Sequence, residues 1–292
     1  MSGATAASAR SDRLPARGLR APGFLPNLAR RVATALVALP VVLAVFFLAA
    51  PWAGVLLIAA ALALGLVEFF GLVRARGMRP MPRVGLLLAA ALFCDVASPS
   101  WLGVPSSPLA ALLLLSVTLR RGTDHESVSA AAATLLGAVY IGVLGGTIAG
   151  LRLLPPAPTG AWRIALLIAI IVFSDSFAFF VGHAIGRRRL APAISPGKSV
   201  EGALGGIAGG VLGALAVRQV GLPSLPFSHT IALGALVAVM GIVGDLDESL
   251  LKRWAGVKDS GTLFPGHGGM LDRLDSLLFG APVLYYYFQY LH

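Results

Sequence analysis

The sequence predicts an all-α integral membrane protein with about nine transmembrane helices, and three observations lead to this fold class. Hydrophobic residues make up 57% of the 292 residues and charged residues only 12%, about half the share in an ordinary soluble domain. The mean hydropathy is +0.84. Apolar runs that approach the ~20 residues needed to cross a bilayer recur along most of the chain. These features exclude a soluble globular fold.

The predicted spans begin after a basic arm. The arm, 1–31, contains six Arg, one Asp and several Pro and Gly, a composition typical of disorder. We expect the remaining residues, 32–292, to form a single transmembrane catalytic domain. The spans lie near 32–50, 54–72, 84–97, 107–119, 129–151, 163–182, 203–217, 229–245 and 276–291, the third and fourth being short.

The basic residues of the short loops predict the orientation in the membrane, because Lys and Arg concentrate in cytoplasmic loops. With nine spans, the loops that are rich in Arg or Lys all fall on one side. The odd-numbered loops 51–53, 98–106 and 218–228 hold only Arg218 between them. We therefore expect a cytoplasmic N-terminus and a C-terminus on the outside.

Charge and cysteine content exclude several classes of protein. The net charge is +10, but the basic residues are spread between apolar spans and form no patch on a soluble domain. We therefore expect no nucleic-acid partner. The single cysteine, Cys94, lies in an apolar run, which excludes a disulfide framework and a cysteine-based zinc site.

The chemistry is expected in the second half of the chain, 161–292, whereas the spans up to about residue 160 have the composition of a scaffold. The loops 183–202 and 246–275 are the longest predicted cytoplasmic connections. Of the 23 basic residues only three are Lys, and all three lie in these loops. Five of the thirteen acids lie between Asp245 and Asp272.

Acids inside predicted spans are costly unless a polar cavity or a partner receives them. Asp175 shares a small-residue helix face with Ala178 and Gly182, which favours a ligand or a neighbouring helix; a carboxylate that serves only helix packing is the alternative. Glu68, beside two Phe near a span end, has either a structural or a functional role.

Asp245 begins the segment GDLDESLLKR, in which Asp245, Glu248 or Ser249, and Lys252 share one helix face. The following residues to 275 alternate acids and bases and include Gly261, Gly266, Gly268 and Gly269, which let the backbone approach a ligand closely. Carboxylates, cations and Gly together are what phosphoryl or nucleotidyl transfer requires. Within this segment His267 has two open roles, phosphate binding or holding the loop.

The loop 183–202 contains ISPGKSVEG, which lacks the spacing of a Walker A loop. Ser195-Pro196-Gly197 is interpreted as a turn that presents Lys198 and Ser199, either to phosphate or as a plain polar turn. The glycines that follow in the seventh span have small-xxx-small spacing, which predicts a close helix contact within or between subunits.

The stretch Ser249–Asp275 resembles the C-terminal signature of the phosphatidate cytidylyltransferases, or CDP-diacylglycerol synthases. Every fixed position of that signature is present: Ser249, Lys252, Arg253, Lys258, Asp259, Gly261, Phe264, Pro265, His267, Gly268, Gly269, Asp272, Arg273 and Asp275. The block from Asp175 through SPGKSVEG is similar to the preceding conserved segment of the family, with Asp175-Ser176 replacing the usual Asp-Thr. The resemblance covers roughly residues 30–292.

The resemblance implies an enzyme that converts CTP and phosphatidate to CDP-diacylglycerol and pyrophosphate with Mg²⁺. Asp245 and Asp272 are the expected Mg²⁺ ligands, Asp175 is a further candidate, and a second, monovalent cation is left open. The expected catalytic residues are Asp245, Asp272, Lys252, Arg253, Lys258, Asp259, His267, Arg273 and Asp275. The residues expected to bind the phosphates of CTP and phosphatidate are Ser195, Lys198, Ser199, Ser249, Gly268 and Gly269.

The expected setting is a bacterial inner membrane, in which phosphatidate reaches the site laterally from the bilayer, and a homodimer is left open. Two other functions compete. A CTP-dependent lipid kinase, or a cytidylyltransferase for another lipid phosphate, shares the nucleotide and the membrane position. An ion-coupled transporter also uses intramembrane acids and Gly-rich spans, but the charges concentrate in two loops and no inverted repeat is visible.

Overall fold

The computed structural model describes residues 39–98, 105–119, 125–261 and 268–291, and within them the chain is almost entirely helical. The helices of the first half are α1 (Leu39–Leu48), α2 (Pro51–Ala75), α3 (Pro82–Ala97), α4 (Ser107–Leu119), α5 (His125–Ala138) and α6 (Leu144–Leu153). Those of the second half are α7 (Gly160–Ile185), α8 (Val200–Gly221), α9 (Phe227–Ala255) and α10 (Leu271–Tyr290). A π-helical turn, Val139–Val143, joins α5 to α6 without a break.

The all-α prediction is confirmed for the described residues, whereas nine complete crossings are not. Five helical segments of the described chain are long and apolar enough to cross a membrane: Pro51–Ala75, His125–Leu153, Ala157–Ile185, Val200–Gly221 and Phe227–Ala255. The predicted third and fourth spans form helices of 16 and 13 residues, shorter than the ~20 residues that a span requires. The arm 1–31 and the start of the first span lie outside the described residues.

Local sequence explains where the main helices begin and end. Pro51 and Pro82 lie in the first turns of α2 and α3, where a missing N–H costs nothing. Ser199 caps α8, its Oγ accepting a hydrogen bond from the N–H of Gly202 at 3.1 Å. α9 ends at Ala255, and the next residue, Gly256, has a φ of +77°, a left-handed conformation that favours glycine.

The second half of the molecule is built on close packing of α7, α8 and α9. A Cβ on Gly209 of α8 would lie 2.6 Å from the carbonyl oxygen of Phe173 in α7. Gly210, one residue on, faces α9, where a Cβ would lie 2.7 Å from the Cβ of Ala238. The predicted close helix contact is therefore confirmed, and it lies within the chain.

The loop between α7 and α8 contains a short antiparallel hairpin, β1 (Arg189–Ala191) and β2 (Ser195–Ser199). The prediction of a turn at Ser195–Gly197 is wrong, because these residues belong to β2. The turn lies between β1 and β2 instead, where the N–H of Ile194 donates to the carbonyl oxygen of Ala191 at 3.2 Å. Pro192 is the second residue of this turn, a position that its fixed φ favours.

The two halves of the chain meet where α2 packs against the first turns of α10. A Cβ on Gly65 of α2 would lie 3.3 Å from the Cδ1 of Leu274. Leu66 and Phe69 are buried on the same helix, as is Leu271 on α10. This contact brings Glu68, which lies between Leu66 and Phe69 on α2, to the N-terminus of α10.

Candidate active site

The hairpin and α9 form the first part of the site. Lys198 on β2 lies with its Nζ 2.6 Å from Oδ2 of Asp245 on α9. Ser249, one turn further along α9, donates its hydroxyl to Oδ1 of Asp245 at 3.4 Å. Near the end of α9, Arg253 donates from Nε to the carbonyl oxygen of Ile194 at 3.4 Å, which ties the hairpin turn to that helix. The predicted helix face therefore borders the hairpin at Asp245, which Ser249 also contacts.

Lys252 joins α9 to α10. Its Nζ lies 2.5 Å from Oδ1 of Asp272 and forms an ion pair with Glu248, four residues earlier on α9. The Glu248 side chain is 0% exposed and that of Asp272 is 8% exposed. One ammonium group is thus shared between two buried carboxylates.

Asp272 also accepts hydrogen bonds from two residues that precede α10 in the chain. Its Oδ2 accepts hydrogen bonds from the N–H of Gly269 at 2.7 Å and from the N–H and hydroxyl of Ser260 at 3.1 and 2.8 Å. Although burial favours the neutral acid, the hydrogen bonds from Lys252 and Gly269 hold the pKa of Asp272 at about 2. Asp272 is therefore ionised at neutral pH.

The backbone at Gly268 and Gly269 requires glycine. Gly268 has φ +76°, and a Cβ there would lie 2.5 Å from Oδ2 of Asp272. A Cβ on Gly269 would collide with Oε2 of Glu68 and with Oγ of Ser260. These two residues of the signature thus let the chain close tightly around the Asp272 carboxylate.

Three further aspartate and arginine side chains interact electrostatically with this cluster. Asp175 on α7 interacts with Asp245, with Lys198 and with Arg273. Asp275, which is 8% exposed on α10, interacts with Asp245 and Asp175. The C-terminal parts of α7 and α9 and the first turns of α10 thus bring acids and bases together in one part of the molecule, called here the site end.

The remaining predicted site residues that the structure describes lie outside this cluster of acids and bases. Lys258 and Asp259 are exposed in the segment that follows α9. Ser195 pairs with Ala191 in the hairpin, and Ser199 is buried as the cap of α8. His267 lies outside the described residues.

The donor set suits Mg²⁺ bound together with phosphate. Mg²⁺ takes one or two carboxylates and completes its shell with phosphate oxygens and water. Asp175, Asp245, Asp272 and Asp275 supply carboxylate oxygens, although Asp245 and Asp272 are paired with lysines. Among the described residues, no group of three or more His, Cys, Asp or Glu forms a ready metal cage, and this mode of binding needs none.

Glu68, whose role the sequence left open, lies beside the site. The two oxygens of its carboxylate accept hydrogen bonds from the N–H groups of Met270 and Leu271 and from the Ser260 hydroxyl. Its separation of about two hundred residues from these partners conceals the contact in the sequence. The signal that was available was its charge inside an apolar span.

Comparisons with known proteins find relatives that are named phosphatidate cytidylyltransferase. A phosphatidate cytidylyltransferase from Synechocystis sp. is 35% identical over 255 residues, covering 79% of this chain and 86% of that protein. Phosphatidate cytidylyltransferase 5, chloroplastic, from Arabidopsis thaliana is 36% identical over 269 residues, covering 82% of this chain and 66% of that protein. The phosphatidate cytidylyltransferase of Bacillus subtilis is 42% identical over 151 residues, about half of each chain.

These relatives do not favour a lipid kinase or a transporter. Residues 29–291 match the profile of the cytidylyltransferase family, and that range contains every described site residue. The resemblance found in the signature is thereby confirmed, as is the prediction of a multi-pass membrane enzyme of the nucleotidyltransferase class. The chain belongs to the cytidylyltransferase family.

Proposed function

We propose that this protein is a phosphatidate cytidylyltransferase that converts CTP and phosphatidate to CDP-diacylglycerol and pyrophosphate. The observation that carries the proposal is the sharing of Lys252 between Glu248 and Asp272 beside the Lys198–Asp245 pair. Two lysines from different elements thus lie at the ends of apolar helices, where a lipid phosphate and a nucleotide triphosphate meet. The Synechocystis and Arabidopsis proteins of that name support the choice of substrates.

The reaction requires little acid–base chemistry. A phosphatidate oxygen attacks the α-phosphorus of CTP in line, a new P–O bond forms, and the bond to the bridging oxygen of pyrophosphate breaks. Because both substrates are polyanions, the main tasks are neutralisation of charge and alignment. Lys198, Lys252 and Arg273 are the described cations that border the acidic cluster, and Lys258 and Arg253 add to them from the exposed rim.

The two lysines of the site pair with carboxylates, and these pairs suggest how substrate phosphates are received. Phosphate oxygens would compete for Lys198 and Lys252, and the released carboxylates of Asp245 and Asp272 would become available to a divalent cation. We propose these two aspartates as the Mg²⁺ ligands, with Asp175 as a further candidate. Mg²⁺ bound there would supply additional neutralisation of the triphosphate.

The acyl chains are proposed to remain in the bilayer while the phosphate enters the site. Leu250 and Trp254 are exposed on α9 close to Lys252 and Arg253. Apolar side chains beside cations suit the border between hydrocarbon and headgroups. We place this border on the inner leaflet of a bacterial inner membrane, in line with the orientation that the basic loops predict.

A label-transfer assay tests the proposed reaction. Purified protein in detergent receives CTP labelled in its cytidine, phosphatidate and Mg²⁺, and the label that enters the lipid phase is counted. We expect transfer by the unchanged protein and a loss of at least about 10²-fold in Asp245→Asn and in Asp272→Asn, because each removes a proposed ligand. Raising Mg²⁺ should restore part of the loss.

Asp247→Asn is the matched control, since it makes the same chemical change on α9 two residues from Asp245 and is expected to retain full transfer. CTP labelled in its γ-phosphate gives the comparison. If the lipid takes up label from this CTP but not from CTP labelled in cytidine, the protein is a kinase and the proposal is contradicted. Transfer that survives both Asp245→Asn and Asp272→Asn would contradict the metal assignment alone.

A further inference from the structure

We propose that Glu68, on α2 in the N-terminal half of the chain, is the positioning residue that holds the 268–272 segment of the site in its working geometry. The catalytic consequence rests on the proposed function, whereas the positioning itself rests on the contacts of the carboxylate. The N-terminal half then contributes to the site, although every residue of the signature lies in the C-terminal half.

The Glu68 carboxylate caps α10. Oε1 accepts from the N–H of Met270 at 2.9 Å and Oε2 accepts from the N–H of Leu271 at 2.8 Å. The first N–H groups of a helix have no partner within the helix, and Met270 at the cap position makes no side-chain capping bond. A carboxylate at this position also interacts favourably with the helix dipole. Glu68 therefore fixes where α10 begins.

Ser260 connects Glu68 to the reacting end of the site. Its hydroxyl oxygen lies 3.0 Å from Oε2 of Glu68 and 2.8 Å from Oδ2 of Asp272. A hydroxyl has one proton to donate, so the two carboxylates compete for it. Asp272, a proposed Mg²⁺ ligand, is thus held by a group that Glu68 also holds.

Two glycines of the signature leave room for Glu68. A Cβ on Gly261 would lie 2.5 Å from Oε1 of Glu68, and one on Gly269 would collide with Oε2. Any larger residue at either position would displace the carboxylate or the segment. The Glu68 carboxylate therefore fits between the backbone of Gly261 and that of Gly269 only because neither residue has a side chain.

Glu68 acts through other groups and is not expected to touch substrate. Its hydrogen-bond partners among the described residues are the N–H groups of Met270 and Leu271 and the Ser260 hydroxyl. Moving these groups by a fraction of an ångström would shift Asp272 and the Gly269 N–H together, because Asp272 accepts a bond from Gly269. The effect should therefore appear in the chemical step more than in the binding of CTP.

Glu68→Gln tests the inference. A carboxamide has one acceptor oxygen, so it keeps one backbone contact and places an NH₂ group against the other donors. We expect hydrogen exchange at the amides of 269–271 to accelerate about tenfold, while amides of α7 and α8 exchange as before. We expect kcat to fall by about 10²-fold, with KM for CTP changed less than about threefold.

Glu126→Gln is the matched control. It makes the same change in the N-terminal half, at an exposed carboxylate that pairs with Arg79 at 3.0 Å. The proposal is overturned if Glu68→Gln and Glu126→Gln show the same hydrogen exchange at the amides of 269–271 and the same kcat. Faster exchange throughout α7–α9 would also overturn it, because it would indicate a general structural role.

Gly261→Ala gives a second, independent test, and it decides the matter if Glu68→Gln fails to fold. The added Cβ displaces the Glu68 carboxylate, so the variant should reproduce the local exchange and the loss of kcat. The double variant should lose no more than either single variant, because both act through one contact. Additive losses would overturn the proposal. Since exchange is measured without substrate, failure of the proposed reaction would leave this readout intact.

Discussion

Lys252 is the residue on which the charge balance of the site depends. Its ammonium is shared by Asp272 and by Glu248, whose side chain is 0% exposed. Removing one partner of a buried ion pair costs about 3–5 kcal/mol, because the other charge is left uncompensated. We expect Lys252→Met to lower both stability and activity, and Lys252→Met/Glu248→Gln to recover part of the stability, since Asp272 stays without its ammonium partner, but none of the activity.

Thermal unfolding followed by Trp fluorescence, together with the label-transfer assay, measures this difference. Arg253→Met is the control for stability, because this neighbouring side chain is exposed. A Lys252→Met protein as stable as Arg253→Met would contradict the assignment. Activity in the double variant would show that Lys252 serves only the folded state.

At the scale of elements, the spacing between α7 and α8 sets the position of the hairpin. The hairpin joins these helices and carries Lys198 towards Asp245. Gly209 faces the α7 backbone, where a Cβ would lie 2.6 Å from the carbonyl oxygen of Phe173. We expect Gly209→Leu to force the helices apart, to destabilise the protein by at least about 1–3 kcal/mol, and to reduce label transfer.

Ala208→Leu is the control, since it adds the same side chain to an exposed position one residue away. Melting temperatures and transfer rates of the two variants in the same detergent give the comparison. Equal melting temperatures would contradict the close contact between α7 and α8.

For the whole molecule, the structure predicts which loops share a face of the membrane. The guanidinium of Arg76, after α2, lies 5.9 Å from the ring centroid of Trp254 on α9, and Arg253 contacts the hairpin. The α2–α3 loop and the hairpin therefore both lie at the site end. The α8–α9 loop, at the other end of two antiparallel helices, lies on the opposite side.

Single cysteines in a Cys94→Ser background measure this topology. We expect Ala75→Cys, at the exposed end of α2, and Ala193→Cys to react with a membrane-impermeant maleimide only after lysis of the cells, because basic loops face the cytoplasm. Ser224→Cys should react in intact cells. Labelling of Ala193→Cys and Ser224→Cys from the same side would contradict the arrangement of α8, and the reverse pattern would invert the predicted orientation.

How far the sequence predicted the site depends on how local each contact is. The face that carries Asp245, Ser249 and Lys252 follows from helical spacing alone, and the structure confirms it. The hairpin turn was misplaced because Pro occurs at two nearby positions, 192 and 196, and only the hydrogen bond of Ile194 selects between them.

The apolar composition, the order of the helices and the signature follow from the sequence, because hydropathy and spacing are properties of neighbouring residues. Tertiary structure alone decided that Lys252 serves two buried acids and that the glycines of α8 pack within one chain. It also decided that Glu68 caps a helix some two hundred residues away. A carboxylate in an apolar span has to find donors, and which donors it finds depends on how the helices pack.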